Sequence, residues 1–185
     1  MTTEQVLEIF RRTGGLKEGH FKLTSGLHSN EYFDKLQVLQ YPEHTAALAA
    51  ALAVKFDPRQ IDVVVGPAYG GIILAYELAR QLDKRAIFAV KGAGQMKLRK
   101  EFCLAPQERV LVAEDVITTG GSVKQVVELA RGLGAHVVAV AALIDRSGGQ
   151  AEVGAPLLAL ATLHVAKFDP ADCPLCAQGV PLIET

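Results

Sequence analysis

The chain has 185 residues, half of them hydrophobic and 6% aromatic, with no tryptophan and a formal net charge of −1. That length suits a single domain with a sizeable core, and a balanced charge with a pI near 6.5 excludes a general nucleic-acid binder. No apolar run reaches the length of a membrane span, and the first residues lack the basic and apolar regions of a signal peptide. The expectation is a cytoplasmic protein with no membrane partner.

Residues 4–12 carry Val6, Leu7, Ile9 and Phe10 at helical spacing, stopped by Gly14 and Gly15. Residues 20–34 hold short strand-like pieces around Ser25 and Gly26, too small for a core of their own. Pro42 suits the first turn of a helix that the alanine-rich residues 46–54 continue. A strand over 61–65 leads through a turn at 66–71 into a helix ending at Leu82, and 85–90 is the next strand. Residues 91–106 are polar and basic, with two glycines and no long element predicted. A strand from Val110, a helix over 123–131, a strand over 136–144 and a last strand over 157–163 complete the series. This alternation predicts an α/β fold, a parallel central sheet flanked by helices on both faces, as one domain over 1–185. Ligands of such sheets bind outside the carboxyl ends of the strands, and the turns at 66–71, 114–122 and 145–149 all follow strands.

Residues 110–123, VLVAEDVITTGGSV, say most about chemistry. A buried strand runs into two carboxylates, Glu114 and Asp115, and then into a turn of hydroxyls and glycines that opens a helix. Backbone N–H groups at a helix start make a phosphate site, and adjacent carboxylates accept hydrogen bonds from sugar hydroxyls or hold a hydrated Mg²⁺. Together they describe a site for a ribose 5-phosphate. An ordinary strand-to-helix turn accounts for Gly120, Gly121 and Ser122, but leaves two charges at the mouth of a buried strand unexplained. The run is neither a Walker A loop nor a G-x-G-x-x-G fingerprint.

Residues 66–71, GPAYGG, are weak alone, since a Gly-Pro turn with a helix cap explains them. Paired with the downstream turn, they supply the separate anion cradle that a pyrophosphate leaving group needs. Residues 91–100, KGAGQMKLRK, crowd Lys91, Lys97, Arg99 and Lys100 into one irregular stretch. Such runs are usually solvated, yet this one lies between two strands and can close over a polyphosphate. At 145–149, DRSGG, Arg146 either pairs with Asp145 or meets a ligand carboxylate or pyrimidine carbonyl edge. Residues 173–176, CPLC, have the spacing of half a zinc site. Its completion would fall to His164 or a second copy, and with no second pair evident the expectation is two ordinary thiols, with Cys103 a packing residue. Three cysteines, an odd number, argue against a disulfide framework.

The run 110–123 resembles, nearly residue for residue, the 5-phosphoribosyl-1-pyrophosphate (PRPP) motif of the type I phosphoribosyltransferases. Residues 66–71 resemble that family's pyrophosphate loop, with the Gly-Pro-Ala-Tyr of its orotate-using members, which implies a non-proline cis peptide there. Asp145 and Arg146 resemble the orotate-binding turn of those members, and residues 19–34 resemble their N-terminal hood. The resemblance implies the type I phosphoribosyltransferase fold, with a hood mainly from residues 1–40 plus a C-terminal contribution, over a core of about 41–165. It implies transfer of ribose 5-phosphate from PRPP to orotate in pyrimidine biosynthesis, by a homodimer whose basic loop is shared across the interface. Mg²⁺ is the implied cofactor, held mainly by substrate, with Glu114 and Asp115 reaching it directly or through water.

Carried onto this sequence, the catalytic positions are Lys91, Lys97, Arg99, Glu114 and Asp115. PRPP binding falls to Tyr69, Gly70, Gly71, Lys91, Glu114, Asp115, Val116, Ile117, Thr118, Thr119, Gly120, Gly121 and Ser122, and orotate binding to Lys22, Phe33, Thr118 and Arg146. Gly70 and Thr24 stand where relatives carry lysines, and Glu114 where they carry Asp, which shifts weight onto Lys91 and the basic loop. Two rivals stand beside this reading. A purine-using member is disfavoured by Arg146 and the hood, and a PRPP-sensing regulator that binds nucleic acid by the lack of a basic face or added domain.

Overall fold

The computed structural model describes residues 1–23 and 25–184, so Thr24 lies outside the described residues. Helix α1 (Thr3–Arg12) starts at a capping box: Gln5 N–H donates to Thr2 Oγ1, and Thr2 N–H donates to Gln5 Oε1. Strands β1 (Leu16–Lys22) and β2 (His28–Phe33) pair antiparallel, and helices α2 (Lys35–Leu39) and α3 (Pro42–Ala53) follow, the latter headed by its proline. Next come β3 (Val63–Pro67), α4 (Gly70–Leu82), β4 (Arg85–Gly92), β5 (Gln95–Leu98), β6 (Arg109–Ile117), α5 (Gly121–Gly132), β7 (His136–Asp145) and β8 (Leu157–Thr162). A short helix α6 (Pro174–Ala177) and a two-residue strand β9 (Ile183–Glu184) end the series.

The large sheet runs β5-β4-β3-β6-β7-β8, parallel throughout except for β5 against β4. Its middle strands alternate their side chains between the two faces. Val64, Leu111 and Ala113 pack with Leu48 and Leu52 of α3 and Leu74 and Leu78 of α4. Val63, Val65, Val110 and Val112 pack with Val123, Val126 and Val127 of α5. Burial on both faces explains why these strands read as unbroken apolar runs. The chain leaves β3 through α4 towards β4, and leaves β6 through α5 in the opposite direction towards β7. The crevice between the carboxyl ends of β3 and β6 is therefore the topological switch point, where open sheets of this kind bind ligands.

A second sheet, β2-β1-β9, forms the hood. Its C-terminal contribution is β9, parallel to β1 through Phe21↔Ile183 and Lys22↔Glu184. Three details differ from the sequence reading. The basic stretch contains a hairpin: β4 extends to Gly92, turns at Ala93 and Gly94 with φ of 49° and 83°, and returns as β5. Two positive-φ residues are what a tight hairpin turn needs, but Ala93 is not a residue that signals one. The two carboxylates lie within β6, not at its end, because the ladder to β7 continues through Glu114↔Ala142 to Ile117↔Asp145. Cys103 is exposed, so it is not a packing residue. Among the described residues no helix is long and apolar enough to cross a membrane.

Candidate active site

At the carboxyl end of β6 the chain turns through Thr118 and Thr119 to Gly120, whose φ of 78° suits glycine and which heads α5. No side chain caps this 12-residue helix. Its first N–H groups, left without intrahelical partners, border a pocket of about 150 Å³ lined by Lys35, Glu114 and residues 116–123. Unpaired N–H groups and the positive end of the helix dipole converge there, which is what a phosphate monoester needs.

The two neighbouring carboxylates of β6 have different surroundings. Glu114 opens onto this pocket, and burial together with the neighbouring Asp115 pushes its carboxyl up to about 8. Asp115 is fully buried; its Oδ1 accepts from Val116 N–H at 2.6 Å and lies 3.3 Å from Lys35 Nζ. Its Oδ2 is turned against Gly70 and has no hydrogen-bond partner. Burial raises the Asp115 carboxyl as well, and Lys35 opposes that shift. The sequence-expected acidic pair is thus one carboxylate facing the pocket and one facing the head of α4.

Beside this pocket lies a larger cavity of about 580 Å³, which shares Lys35, Val116, Thr118 and Thr119 with it. Its other walls are Leu23, Ser25, Leu27, Tyr32 and Phe33 of the hood, Arg146 and Lys167. The Arg146 guanidinium stacks over the Phe33 ring at 4.9 Å, and burial lowers its hold on the proton. Asp145 does not pair with it. That carboxylate accepts from Ser147 N–H and Oγ at 2.8 and 2.6 Å and from Gly149 N–H at 2.9 Å, and so builds its own turn. Among the described residues, Arg146 Nε is buried with no hydrogen-bond partner and is a donor left for a ligand to satisfy.

Phe33, Thr118 and Arg146 therefore converge on one cavity, whose lining does not include Lys22. Its Nζ sits 2.9 Å from Glu184 Oε1, on the β1–β9 pair. Besides Arg146, the cations at the cavity are Lys35 and Lys167, both missed in the sequence. Lys35 directly follows the Asp34 of the hood segment, and Lys167 is brought in by the bridge His28↔Phe168 between hood and core. The GPAYGG turn contains a cis peptide at Ala68–Tyr69, as the resemblance implied, and Tyr69 is 84% exposed. Lys91, Lys97 and Arg99 lie on the exposed β4–β5 hairpin and line none of these cavities; Arg99 pairs with Glu101 at 3.4 Å.

Residues 36–169 match the family described as phosphoribosyl transferase domain. A relative from Desulforamulus reducens named orotate phosphoribosyltransferase is 49% identical over 184 residues, covering all of this chain and 96% of its own length. A second of the same name, from Caldicellulosiruptor bescii, is 48% identical over all of this chain and 97% of its own length. The crystal structure of orotate phosphoribosyltransferase from Aeropyrum pernix gives a TM-score of 0.72 at 30% identity, over 85% of this chain and 93% of that one.

Proposed function

Because the chain belongs to the phosphoribosyltransferase family, among its orotate phosphoribosyltransferases, we propose a role for each wall of the site. The reaction moves ribose 5-phosphate from PRPP to N1 of orotate and gives orotidine 5′-phosphate and pyrophosphate, a step of pyrimidine biosynthesis. Orotate occupies the cavity between the hood and Arg146. The observation that carries this assignment is the unpartnered Nε of Arg146, held in a stack on Phe33. A flat anion fits that slot: its ring lies among apolar hood residues and its carboxylate or carbonyl edge meets the guanidinium. Pyrophosphate release from PRPP and Mg²⁺, measured with orotate, uracil, adenine or hypoxanthine, tests it. Release with orotate alone is expected, and release with a purine overturns the assignment.

The 5-phosphate binds the uncapped head of α5 through residues 118–122. Thr118 and Thr119, which wall both cavities, set the ribose between phosphate and base, so that N1 approaches C1 in line with the departing pyrophosphate. As the C1–O bond breaks, positive charge grows on the sugar; that charge draws the proton from Glu114, whose carboxylate then stabilises it. Orotate is already an anion, so no covalent intermediate on the chain is needed. Glu114 is a hard oxygen donor open to the pocket and suits the hydrated shell of Mg²⁺, whereas Asp115 is turned away towards Gly70. When bound, Mg²⁺ supplies charge neutralisation on the pyrophosphate.

The hairpin lysines act on the site of a second copy of the chain. Tyr69, Ile73 and Tyr76 are exposed at successive turns of one face of α4, with exposed Leu36 and Tyr41 nearby in the chain's helical layer. Large apolar side chains in such a stripe suit the two-fold contact of a homodimer. In that assembly Lys91, Lys97 and Arg99 meet the leaving pyrophosphate of the partner's site. Residues 1–185 work as one domain, hood over core, and the free thiols suit a cytoplasmic setting.

A further inference from the structure

We infer that His20, His28, Cys173 and Cys176 form a tetrahedral zinc site that ties the C-terminal tail to the hood. Their ligand atoms all lie within 4.8 Å of one another. His20 stands on β1, His28 opens β2, and the two cysteines bracket the start of α6. All four lie outside residues 36–169, the part matched by the family, and away from the walls of the substrate cavities.

The distances fit the metal. Zn–S bonds of about 2.3 Å and Zn–N bonds of about 2.0–2.1 Å place tetrahedral ligand atoms about 3.3–3.8 Å apart. Cys173 Sγ lies 3.5 Å from His20 Nε2, Cys176 Sγ lies 3.7 Å from it, and Cys176 Sγ lies 3.4 Å from His28 Nδ1. The edge from His20 Nε2 to His28 Nδ1 is 2.9 Å and widens by a few tenths of an ångström around an ion.

Protonation points the same way. His20 Nδ1 is 2.8 Å from the Val180 carbonyl oxygen, which only accepts, so Nδ1 carries the proton and Nε2 presents a bare lone pair to the cluster. A carbonyl fixing the tautomer of a ligating histidine is the usual support for such a metal. His20, Cys173 and His28 are 1%, 3% and 5% exposed, while Cys176 is exposed and leaves an entry path. Two thiolates and two imidazoles in four-fold geometry select zinc over the harder Mg²⁺.

The site also has a mechanical task. The tail otherwise meets β1 through the two register pairs of β9, the His20–Val180 hydrogen bond and the Lys22–Glu184 ion pair. Between the two histidines lies the turn that carries Leu23, Ser25 and Leu27 into the orotate cavity. A metal bound to His20 and His28 pins both ends of that turn, and through Cys173 and Cys176 it anchors the tail behind it.

The test is metal analysis of the full chain purified without chelator, with cobalt substitution as the geometric readout. One zinc per chain is expected, along with the visible absorption of tetrahedral, thiolate-bound Co²⁺. The conservative variants Cys173→Ser and Cys176→Ser should each lose the metal and the spectrum. Chelation should lower the Tm of the parent chain and leave that of the double variant unmoved. A parent chain that stays metal-free in excess zinc overturns the inference. So does a Cys173–Cys176 disulfide found by mass spectrometry, or cobalt bound with the weak spectrum of octahedral oxygen ligation.

Discussion

Asp115 and Gly70 are in direct contact: a β-carbon at position 70 would lie 1.5 Å from Asp115 Oδ2. The contact sets a buried carboxylate against the first residue of α4, where the helix dipole favours negative charge. The contact requires glycine at position 70, since any side chain there would displace Asp115.

Gly70→Ala should therefore push Asp115, and with it Glu114, out of place. A misplacement of about 1 Å near reacting groups costs on the order of 100-fold in rate. Steady-state kinetics should show kcat/KM for PRPP falling by that order while the chain stays folded by circular dichroism. An unchanged kcat/KM would mean that the carboxylates do not depend on this contact.

Arg146→Lys should weaken orotate and spare PRPP. A lysine keeps the charge but loses the planar fork and its stack on Phe33. Losing a hydrogen bond to a charged group costs about 1.5–3 kcal/mol, or roughly 10- to 100-fold in affinity. The KM for orotate should rise by that factor with the KM for PRPP nearly constant; equal rises in both would remove Arg146 from the base site.

Glu114 gives a pH signature. Its carboxyl is raised from 4.5 to about 8 by burial and by Asp115, so between those values the folded chain binds a proton that the unfolded chain has released. Stability from this group is fully present below about 4.5 and falls as pH rises towards about 8. Urea midpoints of the ligand-free chain should decline across that window, and Glu114→Gln should flatten the decline. A Gln variant with the parent's slope would assign the effect to another group.

Whether the basic hairpin acts across a dimer can be read by mixing two inactive variants. Lys97→Ala and Arg146→Ala chains, allowed to exchange subunits, form hybrids in which one site has both an intact Arg146 and an intact partner hairpin. Random exchange makes half the dimers hybrid with one working site of two, so about a quarter of the parent activity should return. No recovery, with exchange verified by native mass spectrometry, would place the hairpin on its own subunit's site.

The sequence made the sheet legible because β3 and the stretch of β6 from Val110 to Ala113 are buried on both faces and so lack polar interruptions. The uncapped turn after β6 was legible for a similar reason: its residue types have a single economical explanation. What stayed hidden depended on partners distant in the chain. Cys173 and Cys176 showed half a zinc site, and its other half, His20 and His28, lies far earlier in the chain, His20 standing 153 residues before Cys173, and converges only through the β1–β2 register and the folded tail. Lys35 and Lys167 were missed likewise, since nothing local marks a lysine that a hood will later bring to a cavity. The hairpin at Ala93 was missed because an alanine at positive φ leaves no signature.

The division of the larger cavity also bears on how such enzymes change over time. Leu23, Ser25, Leu27, Tyr32 and Phe33 come from the hood, whereas Thr118 and Thr119, which also wall the phosphate pocket, come from the turn after β6. An altered hood can exchange one base for another without disturbing the grip on the sugar phosphate. The reverse is closed off: a change at Thr118 or Thr119 alters both cavities at once. Diversification in base choice is therefore channelled into the hood and Arg146, and a chimera carrying a foreign hood on this sheet should keep its donor while adopting a new acceptor.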